Sequence, residues 1–342
     1  MTVAKSLFVL LTATAAHAAC FAAVTAVDRV TSHLTIEQGD DLHISAADEA
    51  IAQGAAIDMA GDDCRLFFDN IRPVDVIERY SGSVTIMGEK LEPDVNARIR
   101  VYLHGTEILP HSPGYTPLLA KSSTGKTERY ISGRFYTNSP SADVLPANAS
   151  PLALDNDIHS ISLARGYMAT LATNPDGTGY SRCFIAENEN LNIDRLPREL
   201  DGKVSFVRVF PWKQVSKKGW VGGNNKTNPP EGYFEEQADA LLTTWAYNWG
   251  TSADYGRSPE AKGTPWRNQE FVPEKWGYGG DSDWQRITAD FDITHLLSYN
   301  EPDHGEQSDV SVERAIEEWP RHLHSGLRLG SPATTDFAWL YR

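Results

Sequence analysis

Three side chains that could do chemistry follow a short apolar run near the C-terminus. In the segment HLLSYNEPDHGEQ, residues 295–307, Asn300, Glu301 and Asp303 come after a run that is typical of a buried strand. A carboxylic acid at a partly buried strand end can have a raised pKa and exchange protons with a bound molecule, and an amide can hold a hydroxyl group. An acidic turn in front of a helix would use the same residue types, so this segment alone leaves both interpretations open.

Aromatic residues accompany two other apolar runs. In LLTTWAYNWG, Trp245, Tyr247 and Trp249 alternate and therefore share one face of a strand, while Asn248 lies on the other face. Trp276 ends the run EFVPEKWG. Aromatic rings suit the apolar faces of sugar rings, and amides and carboxylates suit sugar hydroxyls. Any single tryptophan could equally be a packing residue, but the repetition at strand ends favours a binding cleft.

The elements that must position these residues begin near Val204, where apolar runs start to alternate with helical patterns. Five runs are strand candidates: VSFVRVFPW, LLTTWAYNWG, QEFVPEKWG, ITHLLSYNEPD and LRLGSPATTD. Such alternation over residues 200–342 predicts a parallel α/β sheet or a (β/α) barrel. In a (β/α) barrel, the residues at the C-terminal ends of the strands gather at one cleft, which would bring the polar and aromatic residues together.

The clearest helical pattern is SVERAIEEWPRHLHSG, residues 311–326. Its apolar positions recur at helical spacing: Val312, Ala315, Ile316, Trp319 and Leu323. Pro320 predicts a kink, and Gly326 predicts the end of the helix. His322 and His324 point to different faces of such a helix, so we expect both to be surface residues rather than metal ligands.

The N-terminal part is rich in β signals. Residues 24–120 form a β-rich module in which VNARIRVYLHGTEIL predicts a hairpin, and either a β-sandwich or a solenoid-like module would fit. Residues 121–198 form a second β-unit, in which Asn174-Pro175-Asp176-Gly177 predicts a turn between two strands.

The second β-unit resembles one βγ-crystallin Greek-key motif. The resemblance rests on Tyr130-x-x-Gly133 together with Asp155-Asn156-x-x-His159-Ser160. It implies that Asp155, Asn156 and Ser160 are candidate calcium ligands. His159 stands where the family has a hydroxyl residue, and histidine is a poor ligand for a hard cation. A structural turn without metal is therefore the favoured interpretation.

Four motifs in the C-terminal part resemble the glycosyl hydrolase catalytic-core family: TTWAYNWG, EFVPEKWG, THLLSYNEPDHGEQSDVSVERAIEEWP and GLRLGSPATTDFAWLY. That family includes endo-β-1,3-glucanases and cell-wall proteins of the alkali-sensitive-linkage type, in a clan of retaining glycosidases. The resemblance implies a multidomain chain in which β-rich modules precede an incomplete (β/α)8 TIM-type barrel. It also implies a β-glucan polysaccharide as the partner.

The same resemblance assigns roles to single residues. Glu301 would be the general acid/base, and Asn300 would contact the sugar 2-hydroxyl. Six residues would line the sugar subsites: Trp245, Tyr247, Asn248, Trp249, Trp276 and Asp303.

The family's second catalytic glutamate, at the end of the seventh strand, has no counterpart in this sequence. Glu274, Asp303 and Asp336 are the carboxylates expected near the cleft, but none matches that position. Three interpretations follow: a piece of a larger glucanase, a glycan-binding protein without hydrolysis, or a barrel completed by a second copy. We favour the first, and expect the isolated chain to be poorly stable in its C-terminal half and to hydrolyse little glucan.

Charge and the N-terminus narrow the function further. The chain has 31 Lys and Arg against 46 Asp and Glu, a net charge of -15, which disfavours nucleic acid and allows a neutral polysaccharide. Residues 1–18 have the pattern of a secretory signal peptide, so we expect a secreted protein with no membrane attachment after its removal. Cys64 and Cys183 could form a disulfide or remain buried thiols. Apart from possible calcium, no cofactor is expected.

Overall fold

The computed structural model describes residues 23–139, 149–213, 216–222, 240–254, 262–263, 265–289, 293–336 and 339. The predicted signal peptide, residues 1–18, lies outside these ranges. No helix within them has both the length and the apolar character needed to cross a bilayer.

Residues 23–110, the solenoid unit, coil into stacked parallel strands. One face holds β1 (Val24–Val27), β3 (Asp41–Ile44) and β5 (Arg65–Phe68), and a second holds β2 (Leu34–Ile36), β4 (Ile57–Met59) and β6 (Val84–Ile86). Each coil sets an apolar side chain on its equivalent in the next coil, as with Leu42 on Leu66 and Ile44 on Phe68. Of the two architectures that fit the sequence, the structure shows the solenoid, because each coil buries its apolar face only against its neighbours.

The solenoid unit ends in antiparallel strands. Helix α1 (Pro73–Tyr80) precedes β6, and β7 (Glu89–Lys90) pairs back on β6. The hairpin of β8 (Ala97–Tyr102) and β9 (Gly105–Pro110) adds to β5 through β9. The hairpin predicted from the alternating sequence is therefore confirmed.

Residues 118–211, the Greek-key unit, form two four-stranded antiparallel sheets. The strands of the first, in spatial order, are β11 (Thr127–Tyr130), β10 (Leu118–Lys121), β13 (Ser160–Leu163) and β16 (Leu191–Ile193). Those of the second are β12 (Arg134–Thr137), β17 (Phe206–Pro211), β14 (Tyr167–Ala172) and β15 (Ser181–Ala186). A shared core between the sheets includes Tyr130, Leu163 and Leu171. The predicted turn at residues 174–177 joins β14 to β15 and is confirmed.

The first strand candidate of the predicted barrel belongs to this unit instead. VSFVRVFPW contains β17, which pairs antiparallel with β12 on one side and β14 on the other. All six residues of β17 are buried, because one side faces the core between the sheets and the other faces residues that follow in the chain. A fully buried run looks the same in sequence whether its partners are parallel or antiparallel.

In the described parts of residues 216–336, the C-terminal unit, five short strands and two helices have defined bounds. The strands are β18 (Gly219–Val221), β19 (Trp245–Tyr247), β20 (Glu270–Phe271), β21 (His295–Leu296) and β22 (Arg328–Leu329), and the helices are α2 (Asp281–Ala289) and α3 (Val312–His324). All strand pairs in this unit are parallel.

The predicted (β/α)8 TIM-type barrel is wrong. The described part of the chain is dominated by strands, with three helices in all, and its N-terminal portion is a β-solenoid. In the C-terminal unit, β18–β20 and β21–β22 are two short parallel ladders of two- and three-residue strands, joined by a bridge between Glu274 and Leu297. A closed barrel needs eight strands, each followed by a covering helix, and these ladders do not form that ring.

Helix α3 occurs where the sequence predicts it, but it turns a different face inwards. Ser311 caps its N-terminus by accepting a hydrogen bond from the Arg314 backbone N–H at 3.3 Å. Ile316, predicted on the apolar stripe, is 68% exposed. His322 and His324, predicted on the surface, are buried. The helix packs through Glu318, which has hydrogen-bond partners inside, and through His322, which lies among the rings of Trp284, Tyr299 and Trp319. An apolar periodicity cannot reveal such partners.

The units are joined through buried polar and apolar contacts. Arg165, between β13 and β14, forms ion pairs with Asp41 at 2.9 Å and Asp63 at 2.8 Å in the solenoid unit. On the other side, Phe210 and Trp212 pack in one apolar cluster with Trp284 of α2. The Greek-key unit is therefore in direct contact with both of its neighbours.

The two described cysteines are free thiols. Cys64 is buried in the solenoid unit, and Cys183 lies on β15, where its sulfur is 3.2 Å from the Thr170 hydroxyl. Burial raises the pKa of both thiols, so both are held in the unreactive protonated form. Of the two alternatives left open by the sequence, the structure shows the unpaired one.

Candidate functional site

A run of backbone hydrogen bonds brings the ends of the C-terminal strands to one edge. The Val272 N–H donates to the Ala246 carbonyl, and the Leu297 N–H donates to the Pro273 carbonyl, both at 2.9 Å. Beyond them, the Asn300 N–H donates to the Trp276 carbonyl at 3.0 Å. The polar and aromatic residues predicted at strand ends therefore do lie along a common edge.

Glu301 lies at the last step of this edge in a rare backbone conformation. Its φ angle is +43°, in the left-handed region that non-glycine residues seldom adopt, and its N–H donates to the Ala333 carbonyl at 2.8 Å. Its half-buried carboxylate has no hydrogen-bond or ion-pair partner within the described ranges. This conformation places a carboxylate at the end of the ladder.

Asn300 is held by its neighbours. Its side-chain amide donates to the Gln307 Oε1 at 3.2 Å, and its backbone carbonyl accepts a hydrogen bond from the Ser308 N–H. The turn thus folds back on itself, and Asn300 lies beside Glu301 as expected from the sequence.

Three of the predicted aromatic residues form a continuous row. The rings of Trp245 and Tyr247 are 6.1 Å apart and stacked, and those of Tyr247 and Trp249 are 5.7 Å apart and perpendicular. The Trp245 indole N–H donates to the Ser216 carbonyl at 3.1 Å, which fixes the first ring. All three are half-buried, so part of each ring remains open to a ligand. Trp276, at the end of the next segment, is 38% exposed.

Two other predicted residues serve local structure. The Asn248 amide is buried, donates to the Ser252 carbonyl at 3.0 Å and accepts from the Gly250 N–H at 3.1 Å. The Asp303 carboxylate accepts hydrogen bonds from the Thr335 N–H and hydroxyl. Burial alone would raise the pKa of Asp303, but these hydrogen bonds outweigh it and lower the pKa. Both residues therefore use their polar groups to hold the loops around the row and the turn.

Glu274 is the carboxyl that the strand order brings between the aromatic row and the Asn300 turn. It is 4% exposed, and burial raises its pKa from 4.5 to about 7. Its backbone N–H donates to the Gly250 carbonyl, and it pairs across the ladder with Leu297. The sequence places Glu274 near the cleft but gives no signal of its burial.

A buried polar network that sequence reasoning missed lies behind the turn. Glu318 of α3 accepts hydrogen bonds from the Tyr299 hydroxyl at 2.8 Å, the Trp284 indole at 3.2 Å and the Gly279 N–H at 2.8 Å. Lys275 lies against the Trp284 ring, and burial lowers its pKa. Because Tyr299 directly precedes Asn300, this network anchors the strand that carries the turn. The one available signal was that Ala315, Glu318 and His322 follow helical spacing.

Of the candidate calcium residues, Asp155 and Asn156 contact each other, and Asp155 also contacts Ser205, which precedes β17. Asp155 Oδ1 accepts hydrogen bonds from the Ser205 hydroxyl at 2.6 Å and from the Asn156 amide at 3.2 Å, and Ser160 begins β13. Asn156 has a φ of +55°, which fits a turn. Over the described ranges, no cluster of three or more His, Cys, Asp or Glu side chains is placed to hold a metal ion. Calcium binding through these three residues stays a prediction from the sequence.

The wild-type protein is expected to lose stability as the pH rises through about 7, and replacing Glu274 with Gln is expected to remove this loss. The folded-state pKa of Glu274 lies above its unfolded value, so its contribution is fully present below about pH 4.5 and is lost as the pH rises through about 7. At about pH 8 the variant should exceed the wild type in free energy of unfolding by on the order of 3 kcal/mol, relative to their difference at about pH 4.5.

Urea unfolding at several pH values would measure this difference. Glu270→Gln is the matched control, since Glu270 is a buried glutamate four residues earlier in the same segment but is ion-paired with Lys213 at 2.9 Å. An equal fall in stability with rising pH in the wild type and Glu274→Gln would contradict the assignment.

Comparison with known proteins shows a family match over the segment that carries the aromatic row and the Asn300–Glu301 turn. Residues 225–341 match the family model of the glycosyl hydrolase catalytic core. The match covers less than half of the chain and includes both the aromatic row and the Asn300–Glu301 turn. It confirms, for that part, the family resemblance drawn from the four motifs. Among proteins with curated descriptions, none matches this chain.

Several solved structures resemble a part of the chain. A GH128 (subgroup I) endo-β-1,3-glucanase from Amycolatopsis mediterranei, in complex with laminaritriose, is 27% identical over 36% of this chain and 49% of that chain, with a TM-score of 0.28. A GH128 (subgroup II) endo-β-1,3-glucanase from Sorangium cellulosum is 25% identical over 29% and 45%, with a TM-score of 0.25. A βγ-crystallin domain from Flavobacterium johnsoniae is 21% identical over 28% and 92%, with a TM-score of 0.19. The chain therefore spans about half the length of the glucanases that it resembles.

Proposed function

We propose that the protein is a secreted glycoside hydrolase that acts on a polysaccharide, β-1,3-glucan, with Glu301 as its general acid/base. The observation that carries the proposal is the strained position of Glu301 at the end of the parallel ladder, within the segment that matches a glycosyl hydrolase catalytic core. The β-1,3 linkage and the secretion rest on the sequence motifs and on the pattern of residues 1–18.

In this proposal each residue of the edge has a separate task. The aromatic row supports the flat faces of successive sugar rings, because its rings are partly exposed and follow one another. Asn300 holds the 2-hydroxyl of the sugar at the reacting centre. Glu301 protonates the glycosidic oxygen as the bond to the anomeric carbon breaks, and its carboxylate then removes a proton from the attacking water.

A retaining mechanism needs a second carboxylate about 5–5.5 Å from the acid/base, which forms and then releases a glycosyl ester. Retention is the outcome expected from the clan that the motifs resemble, and the family's second glutamate has no counterpart among the residues quoted above. The proposed mechanism therefore requires a second carboxylate, and we assign this role to no residue of the chain.

A glycan-binding protein without hydrolysis is the alternative. The aromatic row favours it, because stacking on sugar rings needs no carboxylate and all three rings are half-exposed. Under this alternative, glycan affinity depends on Trp245 and is insensitive to the charge of Glu301.

Binding and hydrolysis of β-1,3-linked glucose oligomers by the full chain would test both functions. We expect Trp245→Ala to weaken binding by about tenfold, since an aromatic ring loses its contact with a sugar face. Tyr278→Ala is the control, because Tyr278 is 43% exposed but packs against Arg314 of α3. Release of new reducing ends supports the hydrolase, binding without release fits the alternative and equally a hydrolase without its second carboxylate, and no binding contradicts both.

A further inference from the structure

Two buried glutamates on one segment of the C-terminal unit are treated differently by the fold. Glu270 on β20 is ion-paired with Lys213 at 2.9 Å. Glu274, four residues later, is 4% exposed, and its carboxyl has no hydrogen-bond or ion-pair partner in the described parts of the chain. Buried carboxyl groups are normally paired, so an unpaired one at a strand end calls for a functional explanation.

Glu274 lies beside the end of the aromatic row. Its backbone N–H donates to the carbonyl of Gly250, the residue that follows Trp249, at 3.0 Å. Burial raises the pKa of Tyr247, and the charge of Glu274 adds to the rise.

On its other side, Glu274 adjoins the strand that carries the turn. It is bridged to Leu297, and two residues further along, the Trp276 carbonyl accepts the Asn300 N–H. With strands about 4.8 Å apart and residues about 3.3 Å apart along a strand, Glu274 is within reach of a sugar seated between the row and the turn.

We infer that Glu274, in its protonated form, donates a hydrogen bond to a hydroxyl group of the glycan bound between the aromatic row and the Asn300–Glu301 turn. The inference rests on the proposed function and adds a substrate-contacting residue to it. A protonated carboxyl offers one O–H donor and one carbonyl acceptor, which is what a sugar hydroxyl can pair with. An ionised carboxylate would lose its remaining water when a neutral glycan covers it.

The surroundings favour the protonated form. Burial raises the pKa of Glu274 to about 7, with no cation acting against it. Lys275 is adjacent in sequence, but its ammonium group donates to the Gly277 carbonyl and lies against Trp284 of α2. From β21, His295 has a pKa lowered to about 4 by burial and by nearby Arg328 and Lys213, so it is neutral near pH 7. Tyr247 is the titratable neighbour from β19 and is also neutral there.

Calorimetric titration of the full chain with a β-1,3-linked glucose oligomer, between about pH 6 and about pH 9, would test the inference. We expect the wild-type dissociation constant to rise about tenfold for each pH unit above about 7, as the donor is lost. Glu274→Gln keeps an N–H donor at every pH, so it should bind within a few-fold of the wild type at about pH 6 and show no such rise. Glu270→Gln should keep the wild-type pH dependence.

Each outcome bears on a different statement. A wild-type dissociation constant that stays the same over this pH range overturns the inference. A dissociation constant that still rises with pH in Glu274→Gln overturns it too. Both results leave the proposed function in place. No glycan binding by the wild type at any pH contradicts the proposed function and the inference together. If Glu274→Gln does not fold, carbon-13 NMR of the glutamate carboxyl groups in the wild type tests the inference instead. Bound glycan should raise the pKa of one buried carboxyl group. An unchanged pKa overturns the inference.

Discussion

Where the second carboxylate that hydrolysis requires is supplied, Glu301→Gln is expected to lower the rate of β-1,3-glucan hydrolysis by about 10²–10⁴-fold, the usual contribution of a positioned general acid/base. The amide keeps the size of the carboxyl group but can neither protonate the leaving oxygen nor accept a proton from water. Affinity for the glycan should change little, because Asn300 and the aromatic row remain. Release of reducing ends from β-1,3-linked oligomers would measure the rate, and calorimetry would measure the affinity.

Glu306→Gln is the matched control for this substitution. Glu306 is an exposed glutamate in the same loop, so its replacement removes the same charge without touching the strained position of Glu301. Its rate should equal that of the wild type. If Glu301→Gln hydrolyses glucan as fast as Glu306→Gln does, Glu301 is not the acid/base.

His322→Phe is expected to make the protein more resistant to acid. His322 is buried among the rings of Trp284, Tyr299 and Trp319. Burial lowers its pKa from 6.5 to about 3, outweighing the Glu318 backbone, which acts in the opposite direction, while Lys275 adds to the lowering. The folded state thus resists a proton that the unfolded chain accepts, so stability is lost as the pH falls from about 6.5 to about 3.

The size of this loss follows from the shift. It amounts to on the order of 4 kcal/mol over the whole interval, and phenylalanine has no proton to gain. The free energy of unfolding should therefore fall less in His322→Phe than in the wild type between about pH 7 and about pH 4, as measured by urea unfolding. His304→Phe, which alters an exposed histidine of the same unit, is the control. Parallel curves for His322→Phe and the wild type would show that His322 takes up its proton without opposing the fold.

Sequence reasoning succeeded where the signal is local. The hairpin of residues 97–110 needs only alternation and a glycine turn, and helix α3 needs only a capping serine and a 3.6-residue repeat. It failed where a distant partner decides. VSFVRVFPW is a strand, as expected, but its neighbours are β12 and β14 of the Greek-key unit. No periodicity states which sheet a buried run will join.

The candidate site shows the same division. Asn300, Glu301 and the aromatic row could be found because each ends an apolar run, and the structure sets them along one edge. The buried carboxyls were less accessible to sequence reasoning. Glu318 lies on a helix face that its charge marks as exposed, and Glu274 follows a proline in a segment that resembles an ordinary strand end. Their importance comes from burial, which only the packing of α2, α3 and the ladder creates.

Strand β17 has a consequence for any attempt to dissect the molecule. It lies between β12 and β14, and Phe210 at its end shares an apolar cluster with Trp284 and Leu296 of the C-terminal unit. A chain cut before β17 would leave the Greek-key unit with two unpaired strand edges, and a chain cut after it would leave the ladder without part of its apolar support. Substitutions at the contact between the Greek-key unit and the C-terminal unit are therefore expected to lower the stability of both.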